Sequence, residues 1–323
     1  MGPRARPRRR WWPARRPART GPGDHVIVDT HAHVWDPARV RYPWLRPGMG
    51  PLHGAFGYAD LAAHLDDEHE LEACDRGEHV RAVLVQAADD PRDVEVMADV
   101  AADEPRVAGL VVWAPVDRPE LVEGEVERAG VIAADAGTRV VGVRTMQHRD
   151  EGAAWLARPE TDAGLAVVDA LGLAYECLVT TPDGLAQLPA VVERHPGLRF
   201  VVDHLGRPPL GDPDALAHWR ALLAPVAQHP GVVAKLSGIF PRGVPGREYA
   251  DQVREVVDVA LELFGPRRLM LGSAWPVSLL HGGPAVACVA VDAALQAALG
   301  HDDLHDVRAG TASDVYGLAR VTS

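Results

Sequence analysis

Val26-Ile27-Val28-Asp29-Thr30-His31-Ala32-His33 begins as a β-branched apolar run and ends in two histidines separated by one residue. β-Branched residues favour extended backbone, and on a strand residues two apart point to the same side. His31 and His33 therefore aim their rings at one spot at the end of a strand. Converging neutral imidazoles make either a metal site or a site that polarises a carbonyl. In a chain with 15 His, roughly one His-x-His pair arises by chance, so the meaning of the motif depends on what surrounds it.

What surrounds it is a repeat of the same local pattern. Strand-like segments are expected at Val26–Thr30, Val80–Ala87, Val107–Trp113, Arg139–Arg144, Leu173–Val179, Leu198–His204, Val232–Ser237 and Arg268–Ser273. Segments with helical spacing lie between them, among them Pro91–Asp103, Pro119–Asp135, Ala153–Leu171 and Glu248–Phe264. Gly130, Gly172, Gly197 and Gly265 supply stops. Strands that are apolar on both faces and alternate with helices form a parallel sheet covered by helices. Eight repeats predict an α/β protein of the closed (β/α)8 TIM-barrel type. An open doubly wound sheet would carry a Gly-x-Gly-x-x-Gly turn after an early strand, and the sequence has none. Residues 25–320 read as a single barrel domain, and residues 1–24 as an Arg-rich disordered tail.

The charge is unevenly spread. The first 24 residues hold eight Arg and one Asp, so the body is more acidic than the whole-chain net charge of −12. An acidic body argues against nucleic acid as its partner. The head, Arg8 to Arg16 with Trp11 and Trp12 between, has the composition to touch nucleic acid or an anionic membrane. An adaptor of that kind would rest on residues 1–24 alone. No apolar core segment follows the arginines, so a secretory signal is not expected. No apolar run approaches the ~18 residues of a membrane span. Cys74, Cys177 and Cys288 are odd in number, far apart and without a Cys-x-x-Cys pair. That pattern predicts a reducing, cytoplasmic setting without disulfides or a thiolate zinc site. The expected partner is a small molecule, with no nucleic acid and no membrane.

A barrel places its chemistry at the C-terminal ends of its strands. Those ends read His31 and His33, Gln86, Trp113, Arg144, Glu176, Asp203 and His204, Lys235 and Ser237, and the turn Gly272-Ser273-Ala274-Trp275-Pro276. Alternation puts Gln86, Arg144, Glu176, Lys235 and Ser237 on the inward face. Lys235 is the single lysine of a chain that otherwise uses arginine. A lone lysine inside a strand means a required ammonium or an ion pair with an acid in the barrel. Ser237 and Ser273 lie outside any Gly-x-Ser-x-Gly elbow, which argues against serine-hydrolase chemistry. His64, His69, His195, His218 and His229 fall in helix-like or turn stretches and read as solvated or helix-end residues. Trp155 and Trp219 read as packing between helix and barrel.

Taken together, several short motifs resemble one family. They are Asp29-Thr30-His31-Ala32-His33-Val34-Trp35-Asp36-Pro37, Tyr42-Pro43-Trp44-Leu45, Val83-Leu84-Val85-Gln86-Ala87 and Val141-Gly142-Val143-Arg144. Asp203-His204-Leu205-Gly206-Arg207-Pro208, Lys235-Leu236-Ser237-Gly238 and Phe264-Gly265-Pro266-Arg267-Arg268-Leu269-Met270 follow. In order and spacing the chain resembles the amidohydrolase family 2 proteins, from about Val26 to Leu318. The branch is the one containing L-fuconolactone and L-rhamnonolactone hydrolases and the 2-pyrone-4,6-dicarboxylate lactonases. The resemblance implies lactone hydrolysis by metal- or histidine-assisted water attack. It puts His31, His33 and His204 at a zinc-like divalent metal or against the scissile carbonyl. It also gives Arg144 the role of holding an anionic or hydroxyl-rich substrate, and the Tyr42–Leu45 loop, with Trp44, a share of the substrate wall. Gln86, Glu176 and Lys235 complete the expected substrate contacts.

The sequence departs from the family at one position that matters. The family ends its eighth strand with Gly-Ser-Asp-Trp-Pro, whereas this chain has Ala274 in place of the aspartate. That aspartate is the expected general base and a metal ligand where a metal is bound. A methyl group does neither, so a metal is expected to be weakly held or absent. A milder departure follows the second strand, where relatives often carry glutamate and the nearest acid here is Asp93. Three readings of Ala274 stay open. They are a catalytically inactive pseudoenzyme that binds a lactone or sugar acid, an altered form of an active enzyme, or a base role taken over by Glu176 or Asp36.

Overall fold

The computed structural model describes residues 26–66, 79–146, 153–241 and 246–318. The basic head, His69 and Cys74 lie outside the described residues. Eight strands form one sheet in chain order, every neighbouring pair parallel. They are β1 (Val26–Ala32), β2 (His79–Val85), β3 (Val107–Trp113), β4 (Val140–Arg144), β5 (Ala174–Cys177), β6 (Arg199–Val202), β7 (Val232–Leu236) and β8 (Leu269–Leu271). The connecting helices include α1 (Tyr58–Asp66), α2 (Asp93–Asp103), α3 (Pro119–Asp135), α4 (Pro159–Leu171), α5 (Pro182–Arg194), α6 (Pro213–Ala227), α7 (Arg247–Phe264) and α8 (Pro284–Ala298). The chain closes with α9 (His301–His305) and α10 (Thr311–Tyr316). This is the (β/α)8 barrel that the repeat predicts. Among the described residues, no helix is long and apolar enough to cross a membrane.

The differences from the sequence reading have local causes. The single helix expected over Ala153–Leu171 is a 3-10 turn, Ala153–Ala157, followed by α4. Pro159 has no N–H to continue a helix, and it biases Arg158 to extended backbone (φ −68°, ψ 141°). β5, β6 and β8 are shorter than expected because the chain leaves the sheet at the mouth. His204 and Leu205 after β6, and Ala274 after β8, all have positive φ.

Val28, Val83, Val111, Val201, Val233 and Met270 fill the barrel interior. From below, α10 plugs it with Tyr316. Arg139 Nη2 donates to the Tyr316 carbonyl at 2.8 Å, and Arg199 Nη1 to that of Val315 at 2.7 Å. These bonds satisfy carbonyls that the end of a short helix leaves open.

β8 is too short to seal the barrel by backbone pairing alone, so side chains complete the seam. Thr30 Oγ1 donates to the Leu271 carbonyl at 2.6 Å, and the His33 N–H reaches Trp275 O at 2.8 Å. The centre of the seam is the buried Asp29 carboxylate. Its Oδ1 accepts the N–H groups of His31 (3.0 Å) and Ser273 (2.9 Å). Its Oδ2 accepts Ser273 Oγ at 2.6 Å and faces His64 Nε2 at 3.3 Å. Burial pushes the Asp29 carboxyl up, but the bonds and charge of His64 and the bonds from Ser273 outweigh it, and the net shift is downward. A carboxylate with a lowered folded pKa adds stability above its unfolded pKa and loses it as pH falls through the folded value. We expect Asp29→Ala to cost about 3 kcal/mol at neutral pH, with the gap to wild type narrowing in acid. Urea denaturation across pH checks this, and a gap that widens in acid contradicts it.

Candidate active site

Three imidazoles meet at the mouth. The rings of His31 and His33 lie 4.8 Å apart at 85°, and those of His31 and His204 lie 4.4 Å apart. His33 Nδ1 is 2.7 Å from the Val85 carbonyl, which only accepts, so Nδ1 carries the proton and Nε2 keeps a lone pair. His204 opens a run of left-handed residues, His204 (φ 53°), Leu205 (52°), Gly206 (68°) and Arg207 (62°). Each non-glycine residue there carries roughly 1 kcal/mol of strain. The turn is held because Trp219 Nε1 donates to Leu205 O at 2.8 Å, while His204 Nδ1 pairs with Ser237 Oγ at 2.8 Å. Two glycines make room for the rings. A Cβ on Gly238 (φ +62°) would sit 2.7 Å from His204 Nδ1, and one on Gly272 would sit 2.7 Å from His31 Cβ.

Beneath the rings lies a buried ionic cluster. Arg144 Nη1 is 3.1 Å from His31 Nε2 and 3.2 Å from Asp203 Oδ2. Lys235 Nζ donates to Thr30 O (2.7 Å) and Glu176 Oε2 (2.7 Å), and lies 3.2 Å from His31 Nδ1 and 3.6 Å from Asp203 Oδ1. The Tyr316 hydroxyl donates to Glu176 Oε1. Burial, then the Lys235 charge, hold His31 well below the ordinary imidazole value. Burial likewise takes His33 and His204 down to about 3. All three rings are therefore neutral near pH 7. Burial works against the Asp203 charge, yet Lys235, His31 and Arg144 together keep its carboxyl well below the usual range.

The structure brings together His31, His33, His204, Arg144, Glu176 and Lys235. The ion pair considered for Lys235 is present, and both partners are fully buried. Gln86 Nε2 donates to Asp89 Oδ1 (3.2 Å) and to Arg144 O (3.3 Å). Tyr42 and Trp44 are engaged elsewhere. The Tyr42 hydroxyl donates to Asp93 at 2.8 Å, the Trp44 indole N–H to Ala87 O at 2.6 Å, and both rings pack on Trp35. Asp93 also accepts the Ala87 N–H at 2.7 Å, and Asp36 Oδ1 caps its own turn through the Ala38 N–H at 2.9 Å. His64 does lie in the last turn of α1, but it is buried rather than solvated and stacks on Trp275 (5.1 Å, 4°), with its Nε2 serving Asp29. Sequence reasoning missed Asp89, which accepts the Met146 N–H at 2.8 Å and ties the end of β2 to the end of β4. The acid pair Asp89-Asp90 just beyond a strand end was the available signal.

Four buried polar atoms at the mouth have no hydrogen-bond partner among the described residues. They are Gln86 Oε1, Trp113 Nε1, Arg144 Nε and Asp203 Oδ1. A polar ligand with hydroxyl groups would satisfy such a mixture of donors and acceptors. An apolar recess lies elsewhere, outside the barrel wall, where Ile27, Leu236 and Leu271 face α8. Asp29, His64 and Ser273 of the seam also line it.

The comparisons with known proteins agree with this geometry. The amidohydrolase family model matches residues 28–318. An L-fucono-1,5-lactonase of Burkholderia multivorans is 32% identical over 302 residues, covering 90% of this chain and 96% of the relative. An amidohydrolase from the same species, solved with bound zinc, is 30% identical with a TM-score of 0.76 over 91% of this chain and all of that one. A probable 2-pyrone-4,6-dicarboxylic acid hydrolase of Acinetobacter baumannii, at 17% identity and a TM-score of 0.68 over 90% of this chain and 99% of its own, shares the fold. A parallel barrel whose strand ends gather imidazoles, an arginine and buried carboxylates defines a hydrolase scaffold. The chain belongs to the amidohydrolase family.

Zinc in that relative raises the question of fit. Among the described residues, one group of metal-ligand atoms comes within 4.8 Å of one another, namely His31, Glu176 and Asp203. Its donors suit a divalent ion, but the Lys235 ammonium already touches all three. Both nitrogens of His31 face a cation, Lys235 on one side and Arg144 on the other. Ala274 adds no ligand. While Lys235 stands there, the residues do not fit a metal at this cluster.

The steric role of Gly238 can be checked directly. Gly238→Ala should cost about 1–2 kcal/mol from the left-handed backbone and turn the His204 ring off Ser237. A crystal structure and a denaturation curve measure both. An unmoved ring at unchanged stability contradicts the assignment.

Proposed function

We propose that this chain opens the ring of a sugar aldonolactone by water attack, without a tightly bound metal. The observation that carries the reading is the convergence of neutral His31, His33 and His204 with the Arg144 guanidinium beside unpartnered donors and acceptors. The relative named as an L-fucono-1,5-lactonase supports the substrate class. Arg144 is suited to bind the lactone carbonyl oxygen and stabilise the charge that develops there. A free imidazole Nε2, of His33 or His204, accepts a proton from water as its oxygen bonds to the carbonyl carbon. The tetrahedral adduct then collapses, the ring C–O bond breaks, the alkoxide takes the proton back from the imidazolium, and a hydroxy acid leaves. With pKa values of about 3, these imidazoles are weak bases at neutral pH, so turnover should be slow. The partner is then a small lactone, with neither nucleic acid nor membrane involved, and the setting is cytoplasmic. Residues 25–320 act as one unit.

Ala274 carries the second reading, a pseudoenzyme that binds a lactone or sugar acid. It has a φ of +51°, a conformation in which Asp is several-fold enriched over ordinary residues. It also continues the series Met270 and Gly272 toward the mouth. Backbone and position are thus ready for an aspartate. We expect Ala274→Asp to raise aldonolactone hydrolysis by about two orders of magnitude or more, read in a pH-indicator screen of sugar lactones. Equal, substantial turnover by both forms would mean that another base serves. No turnover from either, with ligand still bound, favours the pseudoenzyme.

Trp113 belongs in the site on the same grounds, since its buried indole N–H is free to donate to a substrate hydroxyl. Trp113→Phe should raise KM about tenfold, the worth of one such bond, and leave kcat within about twofold. Steady-state kinetics on the more active form decides it, and an unchanged KM removes Trp113 from the binding set.

A further inference from the structure

We propose that Lys235 is the resident cation of a latent divalent-metal site formed by His31, Glu176 and Asp203, and that removing its ammonium turns the cluster into a zinc site. Three observations carry this. His31, Glu176 and Asp203, on or just beyond three different strands, bring ligand atoms within 4.8 Å of one another. One imidazole nitrogen and two carboxylates are a donor set that zinc accepts. Lys235 Nζ stands among them, 2.7 Å from Glu176 Oε2, 3.2 Å from His31 Nδ1 and 3.6 Å from Asp203 Oδ1, with the Thr30 carbonyl at 2.7 Å.

The second sign is a buried carboxylate oxygen without a close hydrogen bond. Asp203 Oδ1 is fully buried and makes no hydrogen bond. Ammonium and imidazole approach it only at 3.6 and 3.5 Å. An ammonium has three N–H groups. Thr30 O and Glu176 Oε2 accept at 2.7 Å, while Asp203 Oδ1 lies at ion-pair distance, 3.6 Å. A divalent ion, which is not limited to three donors, would engage that oxygen as a ligand.

Charge explains why lysine and metal exclude each other. Lys235 and Arg144 balance Glu176 and Asp203, so the pocket is neutral as it stands. A divalent ion added beside the ammonium would leave two uncompensated positive charges in a space closed to solvent. Exchanging ammonium for metal adds one. Zinc in the solved relative belongs to that protein and does not assign this cluster. The proposal concerns this chain's own lysine and stands whether or not the lactone reading does.

The test is metal content rather than turnover. Wild type, Lys235→Ala, Lys235→Ala with Glu176→Gln, and Lys235→Ala with His33→Asn are dialysed against zinc and then buffer, and zinc per chain is counted by mass spectrometry. Lys235→Ala should hold about one zinc with at least about tenfold higher affinity than wild type. The Glu176→Gln partner should abolish the gain, and His33→Asn should leave it. Wild type holding as much zinc as Lys235→Ala, or a gain indifferent to Glu176, overturns the proposal. If Lys235→Ala does not fold alone, it is refolded with zinc, with cobalt(II) and with neither. Folding restored by the metals supports the proposal, and failure with both metals overturns it.

Discussion

Four buried charges at the barrel mouth have to cancel, and much of the site follows from that. Arg144, Lys235, Glu176 and Asp203 are all shut off from solvent. A buried ion stripped of its partner is destabilising by roughly 3–5 kcal/mol. Each side chain of the four is therefore fixed by the others, across strands that are distant in sequence. Burial, and then the Lys235 charge, keep the His31 ring neutral despite Asp203 nearby. Tyr316 reaches up from the closing helix to give Glu176 its remaining hydrogen bond, so the plug at the bottom of the barrel supports the chemistry at the top.

A second constraint is the seam. The barrel closes where β8 is shortest, and the Asp29 carboxylate spans the gap by binding the backbone on both sides. The same bonds set the direction of His31 and of the Ser273–Trp275 turn. Closure and site assembly thus depend on one group. The left-handed turn at His204 to Arg207 belongs to the same logic, since strained backbone persists only where surrounding bonds determine it fully. The Trp219 indole and Ser237 hydroxyl are those bonds.

Against this frame Ala274 stands out. Its backbone has the conformation an aspartate tolerates, and its neighbours Ser273 and Trp275 are bonded into the seam. The family resemblance implies a carboxylate at this position, and here the same turn is bonded in place around an alanine. Both acids considered for the base role are engaged, since Glu176 binds Lys235 and Tyr316 and Asp36 caps a turn.

By itself the sequence determined the barrel and nominated most of the residues that the structure brings together at the mouth. β3 and α3 fall where the sequence places them, because Val107–Trp113 is apolar on both faces and Pro119 marks a helix start. Strand-end position placed His31, His33, Arg144, Glu176, His204 and Lys235 among the candidates, together with Gln86, Trp113, Asp203 and Ser237. Tertiary structure decided who pairs with whom. Lys235 meets Glu176, 59 residues away, only because the two strands share one interior. His64 joins Asp29 because α1 is folded back over the seam. Tyr42 and Trp44 turned inward on Asp93 and Ala87, since their polar ends needed partners once their rings were buried. Local pattern encodes period and propensity, whereas pairing of buried polar groups is set by the closed barrel, which brings distant strands within hydrogen-bonding reach.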